Sequence, residues 1–213
     1  MRAQSPTDIS SSQQRRGFWL RTLHHWHWIS SAVCLFGMLL FSVTGITLNH
    51  ASQIEGKPEV VNVTDRVPAT LLKALPARAD GKAPLPVGLR GWLRDKHGIV
   101  AGEREAEWSA DEVYLSLPGP GNDAWLSIQR TDGALEYERT DRGTLAWLND
   151  LHKGRNAGAA WSWFIDVFAV ACVVFTVTGL FLLQLHARQR RATWPLVLLG
   201  LLIPMVLALL FIH

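Results

Sequence analysis

Cysteine is scarce in this chain of 213 residues, and the positions of its two cysteines exclude several kinds of site. Cys34 and Cys172 both lie inside long apolar runs, so the polar segment between those runs has no disulfide of its own. No C-x-x-C-H motif occurs, which excludes covalent attachment of a c-type haem. No group of cysteines and histidines has the spacing of a zinc site.

Charge is the second shortage, since charged residues make up 18% of the chain against 48% hydrophobic residues. Residues 51–158 carry 14 Lys/Arg and 16 Asp/Glu, a net charge of −2. A nucleic-acid-binding protein needs positive charge clustered on its folded domain, so no nucleic-acid partner is predicted. Other basic residues flank the apolar runs, at Arg15, Arg16, Arg21, Arg188, Arg190 and Arg191.

Long apolar runs are what the sequence does contain. Residues 28–48 and 194–212 form uncharged runs of 21 and 19 residues, and residues 161–185 form a run of 25 with one charge, Asp166. Because ~20 mostly apolar residues let a helix cross a bilayer, each run predicts a transmembrane helix. The first run is too long for the apolar part of a signal peptide and no A-x-A site follows it, so we expect a retained anchor.

The basic flanks predict the topology. Short loops rich in Lys and Arg stay on the cytoplasmic side, so we expect the N-terminus inside, and residues 51–158 and the C-terminal His213 outside. The expected parts are a disordered cytoplasmic tail (1–17), transmembrane helix 1 (18–50), an extracytoplasmic domain (51–150), transmembrane helix 2 (151–186), and a cytoplasmic turn with transmembrane helix 3 (187–213).

Alternation of apolar and polar residues predicts strands in the central segment. Three alternating segments are separated by PGPGND and RTDG, as in an antiparallel meander. The predicted strands are 59–63, 113–117, 124–129 and 135–139, and the predicted helices are 68–77, 87–96 and 144–152. The fold class is therefore a membrane α-helical bundle of three transmembrane helices, with a small extracytoplasmic α+β domain inserted between helices 1 and 2.

One phrase, Phe-(Ser/Thr)-Val-Thr-Gly, occurs at 41–45 and again at 175–179, and a histidine follows each copy. The first helix is expected to run outwards and the second inwards. His50 and His152 then share the outer face, and His186 shares the inner face with one of three N-terminal histidines. Imidazoles facing each other across a bundle are axial ligands of b-type haem, so one haem is predicted at each face. The candidate ligands are His24, His25, His27, His50, His152 and His186.

Helical phase separates the three inner candidates. At ~100° per residue, His25 lies ~20° from His50 around the helix, whereas His27 lies ~140° away. His25 is therefore preferred, with His24 and His27 kept as alternatives. Any single histidine could instead be an ordinary interfacial side chain that snorkels to the headgroups. His97, in the central domain, is expected at the surface.

Several neighbouring residues have both a functional and an ordinary interpretation. Arg155, beside His152, either binds haem propionates together with Lys153 or is a plain interfacial cation. Asp166 either accepts a proton or orients a ligand imidazole, or it pairs with Lys153 or Arg155. Thr44 and Thr178 are interpreted as helix-packing hydroxyls. Small residues that would let a macrocycle or another helix approach closely are Gly37, Gly45, Gly158 and Gly179.

LHHWHWISS before TGITLNH, and LNDLHKGR before TGLFLLQLH with RRATWP after it, resemble the PepSY-associated transmembrane proteins over residues 20–195. The resemblance implies an extracytoplasmic PepSY-like domain and a multi-pass location in the bacterial inner membrane. Larger relatives are similar to haem-containing ferric-siderophore reductases, which are associated with TonB-dependent iron uptake and periplasmic flavoproteins. The resemblance carries the haem-ligand role to His50, His152 and His186, and to one N-terminal histidine. This chain has fewer spans, so a homodimer or a partner is expected to complete a reductase.

The leading functional hypothesis is a haem b electron-transfer protein linked to iron acquisition. Electrons would pass from a cytoplasmic or quinol donor to a periplasmic flavoprotein or a ferric siderophore, and any flavin would belong to a partner. The alternative is a non-redox module, in which the PepSY-like domain binds or regulates a periplasmic protein while lipid-embedded helices anchor it. A visible absorption spectrum separates the two.

Overall fold

The computed structural model describes residues 6–54, 56–76, 80–187 and 190–212. These residues form two compact units, which we describe separately. The helical unit contains the residues up to Leu39 and those from Phe164 onwards, and the sheet unit contains Leu40–Trp163. Arg188 and His213, both used to predict topology, lie outside the described residues.

Three of the described helices are long and apolar enough to cross a membrane. They are α1 (Pro6–Asn49), α5 (Gly158–His186) and α6 (Thr193–Phe211), with candidate spans at Gln13–Asn49, Ala159–His186 and Thr193–Phe211. Many of their large apolar side chains are exposed, and exposed apolar surface of this extent marks membrane contact. The three predicted spans are thus confirmed as apolar helices.

The first helix begins earlier than the sequence predicts. α1 starts at Pro6, so residues 6–17 are helical, where the polar composition predicts a disordered tail. Proline suits the start of a helix because its φ angle is already helical and its missing N–H has no helical partner there. Residues 1–5 lie outside the described residues.

Within the helical unit, α1 and α5 approach each other through small residues. Gly37 faces the ring of Phe168 so closely that a Cβ at this position would collide with it. Cys34 is fully buried, and its thiol contacts the thiol of Cys172. Such close approach is how helices associate in lipid, where burying apolar side chains against each other brings little gain over lipid contact.

The sheet unit is built on an antiparallel sheet, which has six strands in the described residues, in the order β1-β6-β5-β4-β3-β2. The strands are β1 (Glu59–Arg66), β2 (Gly81–Pro84), β3 (Glu105–Trp108), β4 (Glu112–Ser116), β5 (Asn122–Gln129) and β6 (Ala134–Asp141). The helices are α2 (Ala69–Lys73), α3 (Val87–His97) and α4 (Gly143–Lys153). β4, β5 and β6 pair in series, which confirms the predicted meander.

One face of the sheet carries the hydrophobic core of this unit, and α3 packs on that face. Each fully buried leucine stabilises the fold by ~1.5–3 kcal/mol relative to an exposed one. α3 ends at His97, and the φ of 69° at Gly98 turns the chain so that the N–H of Ile99 donates to the carbonyl of Leu93. The fully buried side chains of the core include Leu89, Leu93, Val113, Leu115, Leu126, Ile128 and Leu135.

Two strands are absent from the prediction. β2 reads GKAP, which neither contains a β-branched residue nor alternates, and β3 reads EAEW, which alternates over only four residues and has no β-branched residue. They are strands because they pair with each other and β3 pairs with β4. Strand formation here depends on neighbours in the sheet more than on intrinsic preference, which is why the local pattern does not reveal it.

The second predicted span is interrupted at its start. α4 ends at Lys153 and α5 begins at Gly158, so residues 151–153, predicted within transmembrane helix 2, belong to α4. Gly154, Asn156 and Gly158 have φ angles of 67°, 57° and 81°, and left-handed backbone does not continue an α-helix. Among the described residues, no other helix comes within 4 Å of a Cβ built on Gly158, so the predicted close approach of a helix is not seen there. Its predicted role toward a macrocycle stays a prediction.

Candidate functional site

The first copy of the repeated phrase surrounds a histidine from another helix. In the sheet unit, Oγ1 of Thr44 on α1 lies 2.7 Å from Nδ1 of His152, which is near the end of α4. The ring of Phe41 lies 5.1 Å from the imidazole, measured between centroids. Gly45 leaves room for the imidazole, since a Cβ there would lie 3.5 Å from Cε1 of His152. We call Phe41, Thr44 and Gly45 the first cradle.

The second copy does the same in the helical unit. Oγ1 of Thr178 on α5 lies 3.0 Å from Nδ1 of His27 on α1. The Phe175 ring stacks on the imidazole with centroids 4.7 Å apart, and the Phe175 carbonyl oxygen lies 3.2 Å from the same Nδ1. A Cβ on Gly179 would come within 3.2 Å of Cε1 of His27. We call Phe175, Thr178 and Gly179 the second cradle.

The hydrogen-bond network assigns the same tautomer to both histidines. The hydroxyls of Thr44 and Thr178 lie 2.8 and 2.7 Å from the carbonyl oxygen four residues earlier in their own helices. A carbonyl only accepts, so each hydroxyl donates its single proton there and accepts a hydrogen bond from the imidazole. Nδ1 of His152 and His27 therefore carries the proton, and Nε2 keeps the lone pair that binds a metal. The interpretation of these threonines as packing hydroxyls alone is thus incomplete.

The other candidate histidines contact their own helices. Nδ1 lies 2.8 Å from the carbonyl four residues earlier in His24 and in His186, and 3.0 Å from it in His50. These three side chains are exposed, and the carbonyl contact again places the proton on Nδ1. His25 is also exposed, and its ring stacks on Trp28 with centroids 6.1 Å apart.

A cavity of about 890 Å³ in the helical unit brings His27 and His186 together. Cofactor and ligand sites are typically ~300–1,000 Å³, so this volume suits one. Its wall is mostly apolar, from leucines of α5 and residues of α6, and it includes Arg190. His24 and His25 line a separate cavity of about 470 Å³. Among the described residues, His27 and not the preferred His25 therefore shares a cavity with His186. Which N-terminal histidine is a ligand stays a prediction.

The outer pair is not brought together. In the part of the chain that the structure describes, no hydrogen bond, ion pair or ring contact joins His50 to His152. The cavity beside His152 measures about 20 Å³, which holds about one water molecule. His27, His186 and Arg190 therefore line a cavity of the size that ligand sites have, whereas the cavity at His152 is far smaller. The pairing of His50 with His152 stays a prediction from the sequence.

Arg155 holds a carboxylate of the protein. Its Nε and Nη2 lie 2.9 and 2.7 Å from Oδ1 of Asp150, which is buried and also accepts the N–H of Gly121 at 2.8 Å. This ion pair ties α4 to the turn before β5 and to the start of the α4–α5 connection. In the described residues Arg155 therefore pairs with Asp150 and stabilises this connection. Its expected contact with a haem propionate stays a prediction. Asp166 itself is exposed.

His97 lies in a charged cluster and not at the open surface that the sequence predicts. Its side chain is 12% exposed, and its Nε2 lies 2.9 Å from Oδ2 of Asp65 on β1. Its ring meets Trp92 edge to face, with centroids 5.2 Å apart. The hydrogen bond from Lys96, helped by the backbone N–H of Arg66 and by His97, lowers the pKa of Asp65 from 3.8 to about 2.

Sequence reasoning missed the cradles and the role of Arg190. Both copies of the phrase place Thr and Gly at the same offsets, and this repeat is the sequence feature that indicates the cradles. From the sequence, Arg190 is used only to predict the topology, and its place in the cavity wall is not predicted. Among the described residues, no group of three or more His, Cys, Asp or Glu side chains could hold a metal ion by itself.

Comparison with protein families places most of the chain in a known family. The family model described as PepSY_TM-like matches residues 18–213, which is most of the chain. No curated protein and no solved structure matches the chain. The matched region includes α1 from Phe18 onwards, α5, α6, the sheet unit and both cradles. This chain is a membrane protein of the PepSY_TM-like family.

Proposed function

We propose that this protein transfers electrons in the bacterial inner membrane, with haem b bound in the cavity of the helical unit. The observation that supports the proposal is the meeting of His27 and His186 in one apolar cavity, each with its proton on Nδ1. Both Nε2 atoms would then be available to hold the iron of a haem. Haem, when bound, supplies a one-electron redox couple.

The lining residues have separate roles in this proposal. His27 and His186 would hold the iron through Nε2, and Arg190 would pair with a propionate by a charge-assisted hydrogen bond. The leucines of α5 and the residues of α6 keep water away and lower the local polarity, which tunes the redox potential. Phe175 packs flat on the His27 ring and limits its rotation.

The direction of electron flow follows from the proposed topology. Basic residues in the N-terminal half of α1 and before α6, including Arg21 and Arg190, favour a cytoplasmic location for these ends of the helices. The sheet unit would then be periplasmic, and the C-terminus as well. Electrons would come from a cytoplasmic or quinol donor and leave to a periplasmic flavoprotein or ferric siderophore. With three spans, the chain would act as a reductase subunit, in a homodimer or with a partner.

The test is haem content and spectrum of the protein purified from membranes. We expect a Soret band, split α and β bands on reduction, and loss of one low-spin haem per chain in His27→Ala and in His186→Ala. His24→Ala is the matched comparison. Nδ1 of His24 contacts the carbonyl four residues earlier, as Nδ1 of His186 does, but His24 lines the separate cavity of about 470 Å³. We expect His24→Ala to keep the wild-type ratio of haem to protein.

Two results would contradict the proposal. A colourless protein from haem-sufficient cells would favour the non-redox module that anchors a PepSY-like domain. A coloured protein that keeps its haem in both His27→Ala and His186→Ala would place the haem elsewhere, with His50 and His152 the next pair to test.

A further inference from the structure

The hydroxyl of Thr178 occupies an unusual position for a helix-buried threonine. Threonine in a membrane helix commonly satisfies its hydroxyl by donating to the carbonyl four residues earlier, which needs no second partner. Thr178 makes that bond, to Val174 at 2.7 Å, and also lies 3.0 Å from Nδ1 of His27. The side chain is 8% exposed, so water is not at hand to replace it.

We propose that Thr178 is a positioning residue, which accepts the Nδ1–H of His27 and thereby keeps the Nε2 lone pair of that imidazole available for iron. The inference rests on the proposed function, because it assigns a purpose to one contact in the proposed haem cavity. It adds a residue that touches neither iron nor electron partner. Partners of this kind fix the ring of a ligand histidine and raise its basicity, and their loss typically costs ~10–100-fold in metal affinity.

The first cradle provides an internal comparison. Thr44 makes the same pair of contacts, with Leu40 at 2.8 Å and with His152 at 2.7 Å. Nδ1 of His152 has no second acceptor among the described residues, whereas Nδ1 of His27 also lies 3.2 Å from the Phe175 carbonyl. Removing the hydroxyl should therefore change the tautomer of His152 more than that of His27. The hydrogen-bond geometry predicts this larger change at His152, whereas threonines that only pack against the imidazoles would not produce it.

The absence of a side chain at Gly179 also determines where the imidazole of His27 can lie. A Cβ here would come 3.2 Å from Cε1 of His27, closer than most such contacts, so the imidazole would have to move. At Gly45 the corresponding distance to His152 is 3.5 Å, which is ordinary contact. Gly179→Ala should therefore displace the His27 ring without removing its hydrogen bond.

The experiment uses the full chain with ¹⁵N-labelled histidine, prepared without haem and then titrated with haem. Nitrogen NMR of the haem-free protein reports the tautomer of each imidazole, and the titration reports haem affinity. We expect wild-type His27 and His152 to carry the proton on Nδ1. Thr44→Val should move His152 largely to the Nε2–H form, and Thr178→Val should move His27 partly. Thr178→Val should also weaken haem binding about 10-fold, the lower end of the range for lost partners of ligand histidines.

The controls separate positioning from packing. Thr178→Ser keeps the hydroxyl and should restore both the tautomer and the haem affinity. Ser30→Ala removes another buried helix hydroxyl, one that contacts only carbonyls of its own helix, and should change neither. If Thr178→Val keeps the wild-type tautomer of His27 and the wild-type affinity, the inference is wrong. If the wild-type protein shows the expected tautomers but takes up no haem, the proposed function is wrong, and the role of Thr178 in iron binding is wrong with it.

Discussion

The histidines of this chain differ mainly in what their Nδ1 atoms contact. His27 and His152 are held by a threonine from another helix, while His24, His50 and His186 contact a carbonyl of their own helix. In both classes the proton is on Nδ1, so the chemistry of the ring nitrogens does not distinguish a ligand from a bystander. What distinguishes them is the cavity that each one lines.

The lowered pKa of Asp65 predicts how the stability of the sheet unit changes at acid pH. Its carboxyl has a pKa of about 2 in the folded protein, against an ordinary value of 3.8. A lowered pKa means that the ionised form favours the folded state, so its contribution to stability is present above pH 3.8 and disappears as the pH falls towards 2. Asp65→Asn should therefore flatten the fall in melting temperature of the sheet unit between these pH values, as measured by circular dichroism.

Asp95→Asn is the matched control for Asp65→Asn. Asp95 lies on α3, close to Lys96 and His97 in the chain, but its carboxylate is 72% exposed and pairs only with the neighbouring Arg94. It should keep the wild-type slope. Parallel curves for wild type and Asp65→Asn would mean that the charged cluster of β1 and α3 does not govern acid stability.

At the scale of elements, α3 is the helix on which the sheet unit depends. Its buried side chains, Leu89 and Leu93, face the sheet, while α2 contributes only partly buried leucines. A six-stranded antiparallel sheet with one covered face needs such a helix to bury its apolar side. The sheet unit therefore has a core of its own and does not depend on the lipid for it.

Leu93→Ala tests this dependence. Leu93 is fully buried, and truncating a buried leucine typically costs ~2–5 kcal/mol through lost burial and the cavity left behind. Val87→Ala in the first turn of the same helix is the control, because Val87 is 75% exposed and should change the free energy of unfolding by less than ~0.5 kcal/mol. Pulse proteolysis at graded urea concentrations measures both. Equal effects of the two changes would contradict the core as we describe it.

At the scale of the whole molecule, apolar helices that suit lipid lie before and after a sheet unit that suits water. The three apolar helices expose leucine, valine and phenylalanine, whereas the sheet unit exposes charged residues and buries its leucines. The helices of the cavity and the sheet unit are joined through α1 and α5, each of which continues from one unit into the other. The proposed function requires this alternation to correspond to a membrane and the space outside it.

Reporter fusions decide the topology. A fusion at Asp123, in β5, should give the signal of a periplasmic reporter, because the positive-inside rule places the sheet unit outside. A fusion at Ala192, between α5 and α6, should give the signal of a cytoplasmic reporter and serves as the matched comparison. A cytoplasmic signal at Asp123 would reverse the proposed direction of electron flow.

Much of the architecture can be predicted from the sequence alone. Runs of about twenty apolar residues have few alternatives to membrane helices, because an unpaired backbone in lipid is too costly. The meander of β4, β5 and β6 is equally local, since alternation and two turn motifs specify it. The strands β2 and β3 could not be predicted, because their residues form strands only when a neighbouring strand supplies the hydrogen bonds.

The candidate site, too, could be predicted from the sequence only in part. The sequence by itself determined that histidines gather at the ends of two helices and that Phe-(Ser/Thr)-Val-Thr-Gly occurs twice. Only the tertiary structure decided that each copy holds a histidine from another helix, that His27 and not His25 shares a cavity with His186, and that Arg155 is bound to Asp150. The physical reason is that helical phase relates residues within one helix, whereas a binding site depends on which faces of different helices meet, and packing of the whole chain sets those faces.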